Sequence, residues 1–206
     1  MNSSLFQHLR SQAVPILQYL KAYIKNPVAE IARTPNWDWR TLIFVQIFLG
    51  VISGTLAGVV SLSFAQIFIG FFLAPFSYLI ATSIMSLVIY YFFLLLLNRQ
   101  LNALKLMTVV VLANLPFYVL QIVTGLIPYN FLTLAGLGFS AFLLIVGLVE
   151  NFSIPKKMAI RVVAGLFFLI LLLFAFNNFE AWRERNKYRV TPITPESQST
   201  LEKEFE

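Results

Sequence analysis

Apolar residues fall in long blocks along this chain, and polar residues gather between the blocks. From position 41 to position 98 there are 58 residues without a single Asp, Glu, Lys or Arg. A hydrocarbon core about 30 Å thick takes about 20 helical residues to cross. The block therefore holds at least two crossings, predicted over 42–62 and 76–97. A softer stretch between them, 63–75, contains Gln66, Gly70 and Pro75. A third crossing is predicted over 104–126 with Asn114 and Pro116 in its middle, a fourth over 131–149 and a fifth over 159–176. Ile127-Pro128-Tyr129-Asn130 reads as a turn. Glu150-Asn151 and Ile154-Pro155-Lys156-Lys157 read as a polar loop. Backbone groups in lipid must be satisfied within their own segment, and no strand alternation is present, so the crossings are helices. The expected fold class is all-α: a polytopic membrane bundle of five transmembrane helices.

An amphipathic helix precedes the bundle. Over 5–24, Phe6, Leu9, Ala13, Ile16, Leu17, Leu20 and Ile24 recur at helical spacing, while Gln7, Arg10, Gln18 and Lys21 face elsewhere. A kink is expected at Pro15. Basic residues beside an apolar stripe suit a helix lying on an anionic leaflet, with Arg10, Lys21 and Lys25 toward the lipid. Packing against the protein's own bundle suits the same pattern. Asn26-Pro27 ends the helix, a short segment over 28–34 follows, and Trp37 and Trp39 then flank Asp38 just before the first span. Tryptophans in that position read as an interfacial anchor. Three regions result: a cytoplasmic amphipathic segment (1–40), the five-span domain (41–178), and a polar, partly disordered tail (179–206).

Composition narrows the function. The chain is 59% hydrophobic and 12% charged, against about 45–50% and about 25% in a soluble domain. A soluble enzyme is excluded. The net charge of +6 points to anionic lipid, not nucleic acid, because the basic residues sit at the ends and in two short loops. Lysines and arginines near span ends divide ten to five in favour of the side that carries the N-terminus. That side should be cytoplasmic and the tail on the far side. A sixth span within 42–97 would preserve the same ratio. Three crossings of at least about 17 residues would leave almost no room for turns in that stretch, so length favours five.

The chemistry of a membrane enzyme is missing. There is no Cys, one His (His8, outside every span) and one Asp (Asp38). No nucleophile with a base, no aspartyl pair, no HExxH and no P-loop is present. No cofactor or metal is expected. Ion-coupled transport usually places ionisable groups at depth. Here only Lys105 and Arg161 enter the spans, near their ends, and Glu150 lies at a boundary. What remains is a neutral polar set, Gln46, Asn114, Pro116 and Gln121. It suits either helix-to-helix hydrogen bonds or a pathway for a neutral solute. The Asn114 amide is expected to meet a carbonyl freed by the Pro116 kink. Gly50, Gly54 and Gly58, four apart in the first span, make a smooth face for close helix contact, within the chain or with a second copy.

This layout resembles the prokaryotic branch of the Yip family, the Ypt/Rab-interacting membrane proteins. The resemblance spans roughly 20–178. It rests on Asn26-Pro27 before a short helix, Ala113-Asn114-Leu115-Pro116 in the third span, the stretch 141–147, and Ile154-Pro155-Lys156-Lys157-Met158-Ala159 before the last span. It implies five spans with a cytoplasmic N-terminus, no catalytic residues, and a role organising membrane or partner proteins. The location it suits is a bacterial inner membrane. Eukaryotic members bind Rab-type GTPases. Asn36-Trp37-Asp38-Trp39 does not match their Asp-Leu-Tyr/Trp-Gly-Pro type motif before the first span, which argues against a GTPase partner here. The alternative function is a small transporter or channel with a neutral path.

Overall fold

The computed structural model describes residues 3–124 and 130–187. They form eight helices: α1 Ser3–Lys25, α2 Pro27–Ile31, α3 Trp39–Val60, α4 Phe64–Leu97, α5 Ala103–Ala113, α6 Leu115–Thr124, α7 Asn130–Phe152 and α8 Lys156–Lys187. Five stretches are long and apolar enough to cross a membrane: Trp39–Val60, Phe64–Leu96, Ala103–Val123, Leu132–Phe152 and Lys156–Phe176. The fold is an all-α, multi-pass membrane bundle.

Helix starts follow local chemistry. Asp38 accepts the Thr41 backbone N–H at 2.9 Å, and Asn102 accepts that of Lys105 at 3.0 Å. Asn26 accepts that of Ala29 at 3.2 Å, with Pro27 at the first helical position. These side chains satisfy amide groups that have no partner within their own helix.

Several predicted boundaries move, among them those of the last helix, which runs over Lys156–Lys187 and takes in Lys156 and Lys157 of the predicted loop. The softer stretch 63–75 is not a connector, because α4 runs unbroken from Phe64 through Pro75 to Leu97. Only residues 61–63 turn between α3 and α4. Proline is tolerated inside such a helix where a neighbouring helix packs against it, and Pro75 is buried against Gly50. Glu150 and Asn151 belong to the last turn of α7. The Asn151 amide donates to the carbonyls of Gly147 at 3.0 Å and Ile31 at 2.8 Å, which ties that turn to α2. Most of the predicted turn (residues 127–129 of 127–130) and the tail beyond 187 lie outside the described residues.

The chain divides into two compact units, residues 1–164 and 165–206. In the first, α5 is the central element, with every residue from Leu106 to Ala113 buried. Such a helix is apolar almost all round, and its one buried polar side chain, Thr108, returns its hydroxyl to the Leu104 carbonyl at 2.9 Å. Around it lie Leu143, Leu144 and Leu148 of α7, Ile31 of α2, and Val45 and Leu42 of α3, each at most 1% exposed. The second unit continues α8 to Lys187.

Candidate functional site

A buried polar cluster joins α3, α4 and α6. Gln46 is fully buried, and its Nε2 donates to the Tyr118 hydroxyl at 2.7 Å and to Thr82 Oγ1 at 3.2 Å. Thr82 Oγ1 and Tyr118 Oη lie 3.4 Å apart. Ser53, two turns along α3 from Gln46, donates to the Tyr118 carbonyl at 2.8 Å. The Tyr78 hydroxyl donates to Gln121 Oε1, and the Tyr78 and Tyr118 rings stack with centroids 4.9 Å apart. Gln46 Oε1 is buried without a hydrogen-bond partner. Polar groups at this depth find partners in one another because the surrounding side chains and lipid offer none.

The structure therefore brings Gln46 and Gln121 into one network, linked by Tyr118 and Tyr78. Asn114 and Pro116 have a different role. They form the joint where the third span breaks into α5 and α6. Among the described residues neither side chain joins the cluster by a hydrogen bond. Sequence reading passed over Tyr78, Thr82 and Tyr118. The available signal was tyrosine placed within spans, away from the interfacial belts where tyrosine normally concentrates, at spacings of three and four from other polar residues.

The expected partner of the Pro116 kink is corrected. Pro116 has no N–H to give the carbonyl four residues back, which is that of Leu112. The side chain that meets this carbonyl is the Tyr23 hydroxyl of α1, at 2.7 Å, and the backbone N–H of Asn114 is also directed at it. Leu112 lies nine residues into α5, about 14 Å along its axis. The C-terminal half of α1 is thus wedged beside the bundle, with Ile16, Leu20 and Tyr23 buried. Tyr19 donates to the Glu30 carbonyl at 2.9 Å and meets Trp37 edge-on at 5.6 Å. Val14, Leu17 and Ile24 are left exposed, and Lys21 and Lys25 are exposed on the neighbouring strip of the helix. Trp37 is half-buried and Trp39 is exposed. The side chain of Arg10 lies outside the described residues. Asp38 caps α3, and its hydrogen bonds from Thr41 hold its carboxyl below the ordinary value of 3.8.

Gly50, Gly54 and Gly58 face α4 of the same chain. A Cβ on Gly54 would fall 2.5 Å from the Gly70 carbonyl oxygen, and one on Gly58 would fall 2.4 Å from the Ile67 nitrogen. One on Gly50 would meet the Pro75 Cα at 2.7 Å. This face is filled by backbone, so a second copy cannot reach it.

Among the described residues no group of His, Cys, Asp and Glu converges as metal ligands would. The cluster's amides, hydroxyls and phenols can exchange hydrogen bonds with one another or with a neutral polar guest. Comparison with curated proteins and with solved structures finds no match. The family model of the Yip1 domain matches residues 21–177, from the last turns of α1 through all five apolar stretches. With that order of elements and a match over most of its length, the chain belongs to the Yip1 domain family.

Proposed function

We propose that this protein is a non-enzymatic organiser of the membrane around it, holding lipids or neighbouring membrane proteins against a bundle-mounted N-terminal helix. The reading places it in a bacterial inner membrane with that helix on the cytoplasmic side. The observation that carries it is the double face of α1. Ile16, Leu20 and Tyr23 fasten the helix to the bundle, while Val14, Leu17 and Ile24 stay exposed beside Lys21 and Lys25. A helix fixed in place with a free apolar strip and adjoining lysines is suited to anionic lipid and to the apolar surface of a partner. The glycine seam supports the role from within, by making the α3–α4 pair rigid. No GTPase, nucleic acid or cofactor enters this reading.

A photo-reactive residue at position 17 in native membranes tests it. The expected result is strong crosslinking to lipid, to a second copy or to another membrane protein, with little from the buried position 20. Equal crosslinking from both positions would refute the outward strip. The runner-up is passage of a neutral solute, and it draws on the unpartnered, buried Gln46 Oε1. Solute flux in proteoliposomes that is abolished by Gln46→Leu would favour it over the organiser.

A further inference from the structure

Beside the N-terminal end of α3 a groove of about 500 Å³ opens between α3, α4 and α5. Its walls include Ile43 of α3, Leu79 and Leu87 of α4, and Met107 of α5. Ser86 also lines it, but its hydroxyl donates back to the Thr82 carbonyl at 2.8 Å and offers little to a guest. The lining is therefore mainly apolar along its length. From Leu79 to Tyr90 it follows α4 for eleven residues, about 16 Å. One leaflet of the hydrocarbon core is about 15 Å deep. The end nearest the start of α3 is framed by Trp39 and Tyr91, 48% and 51% exposed, side chains that combine an apolar ring with a polar edge. Arg40, the next residue after Trp39, is exposed.

These features fit one kind of occupant. It has an apolar tail as long as a leaflet is deep and an anionic group at the aromatic end. We propose that the groove holds one acyl chain of a glycerophospholipid from the leaflet at the α3 N-terminal end, with the lipid phosphate beside Arg40. This site is separate from the exposed strip of α1 and does not rest on the organising role.

Native mass spectrometry of the full chain, purified and then offered phosphatidylglycerol, tests the assignment. One tightly retained lipid per chain is expected. Ser83→Phe and Ala103→Phe each place a ring in the groove, from α4 and from α5, and each should cut retention at least tenfold. Two variants on different helices keep the test decisive if one of them fails to fold. Diacylglycerol, which lacks the phosphate, should be held at least fivefold less well than phosphatidylglycerol, and Arg40→Gln should erase that difference. Unchanged retention in the folded filling variants would overturn the proposal. So would a broad, unsaturated ladder of adducts that detergent strips completely, the mark of an adventitious additive only. Disulfide-linked dimers formed through Ser83→Cys would show instead that a second copy occupies the groove.

Discussion

The carbonyl of Leu112 shows how much one backbone group matters in a membrane protein. Pro116 leaves it without its usual helical donor, and in hydrocarbon no water can replace that donor. Tyr23 supplies the missing hydrogen bond from 89 residues away in sequence. Tyr23→Phe keeps the ring and removes the one side-chain donor that reaches this carbonyl, which costs about 0.5–1.5 kcal/mol. The loss should appear as a lower unfolding midpoint in detergent and faster amide exchange in α1. In a Pro116→Ala background the backbone at 116 regains its N–H, so the same substitution should cost clearly less. Equal costs in the two backgrounds would break the link between kink and hydroxyl. Asp38 makes a pH-dependent contribution. Its carboxyl titrates lower in the folded chain than its ordinary value of 3.8 because Thr41 hydrogen-bonds the ionised form. A depressed carboxylate stabilises the fold above its unfolded pKa, and that contribution fades as pH falls through the folded value. Wild type should therefore be more stable than Asp38→Ala at pH 6, and the two stabilities should converge as the pH is taken below the value of 3.8.

At the scale of elements, the α3–α4 hairpin is set by its smallest residues. Gly54 and Gly70 bring the two backbones together, so that a Cβ on Gly70 would lie 2.1 Å from the Gly54 carbonyl oxygen. Backbone on both sides cannot step aside as a flexible side chain would. Gly54→Leu should destabilise the monomer by at least about 1–3 kcal/mol, the usual cost of overpacking, and Gly54→Ala by a smaller amount. Unfolding by denaturing detergent, followed through tyrosine and tryptophan fluorescence, measures this. The oligomeric state of any folded fraction should stay unchanged, because the seam lies inside one chain. The glycine spacing was plain in the sequence. Its partner was not, since small residues four apart permit close approach to any helix, and the answering pair Gly70 and Ala74 is only one repeat long.

For the whole molecule, an odd number of crossings predicts that the two ends lie on opposite sides of the membrane. The chain has no native cysteine, so Ser197→Cys gives a single reporter. An impermeant thiol reagent should label it from the side opposite the N-terminus and not from the cytoplasm. Labelling only from the cytoplasm would require an even number of crossings and would reverse the orientation argued from lysine and arginine positions.

Span number and helical class were determined by the sequence alone, because lipid leaves an apolar backbone no alternative to helix and fixes the length of each crossing. Gln46 and Gln121 were visible there as polar exceptions. The cluster that unites them was not, because Tyr78, Thr82 and Tyr118 are brought to them only by the way α3, α4 and α6 pack. The same holds for α1. Its periodicity allowed a helix on the membrane surface or one against the bundle. Only the tertiary structure, through the Tyr23 hydroxyl and the Leu112 carbonyl, turned one strip inward and left another outward. Hydrophobic pattern tells a segment that it must leave water, but lipid and protein interior satisfy that demand equally. The choice between them falls to specific contacts between residues far apart in the chain.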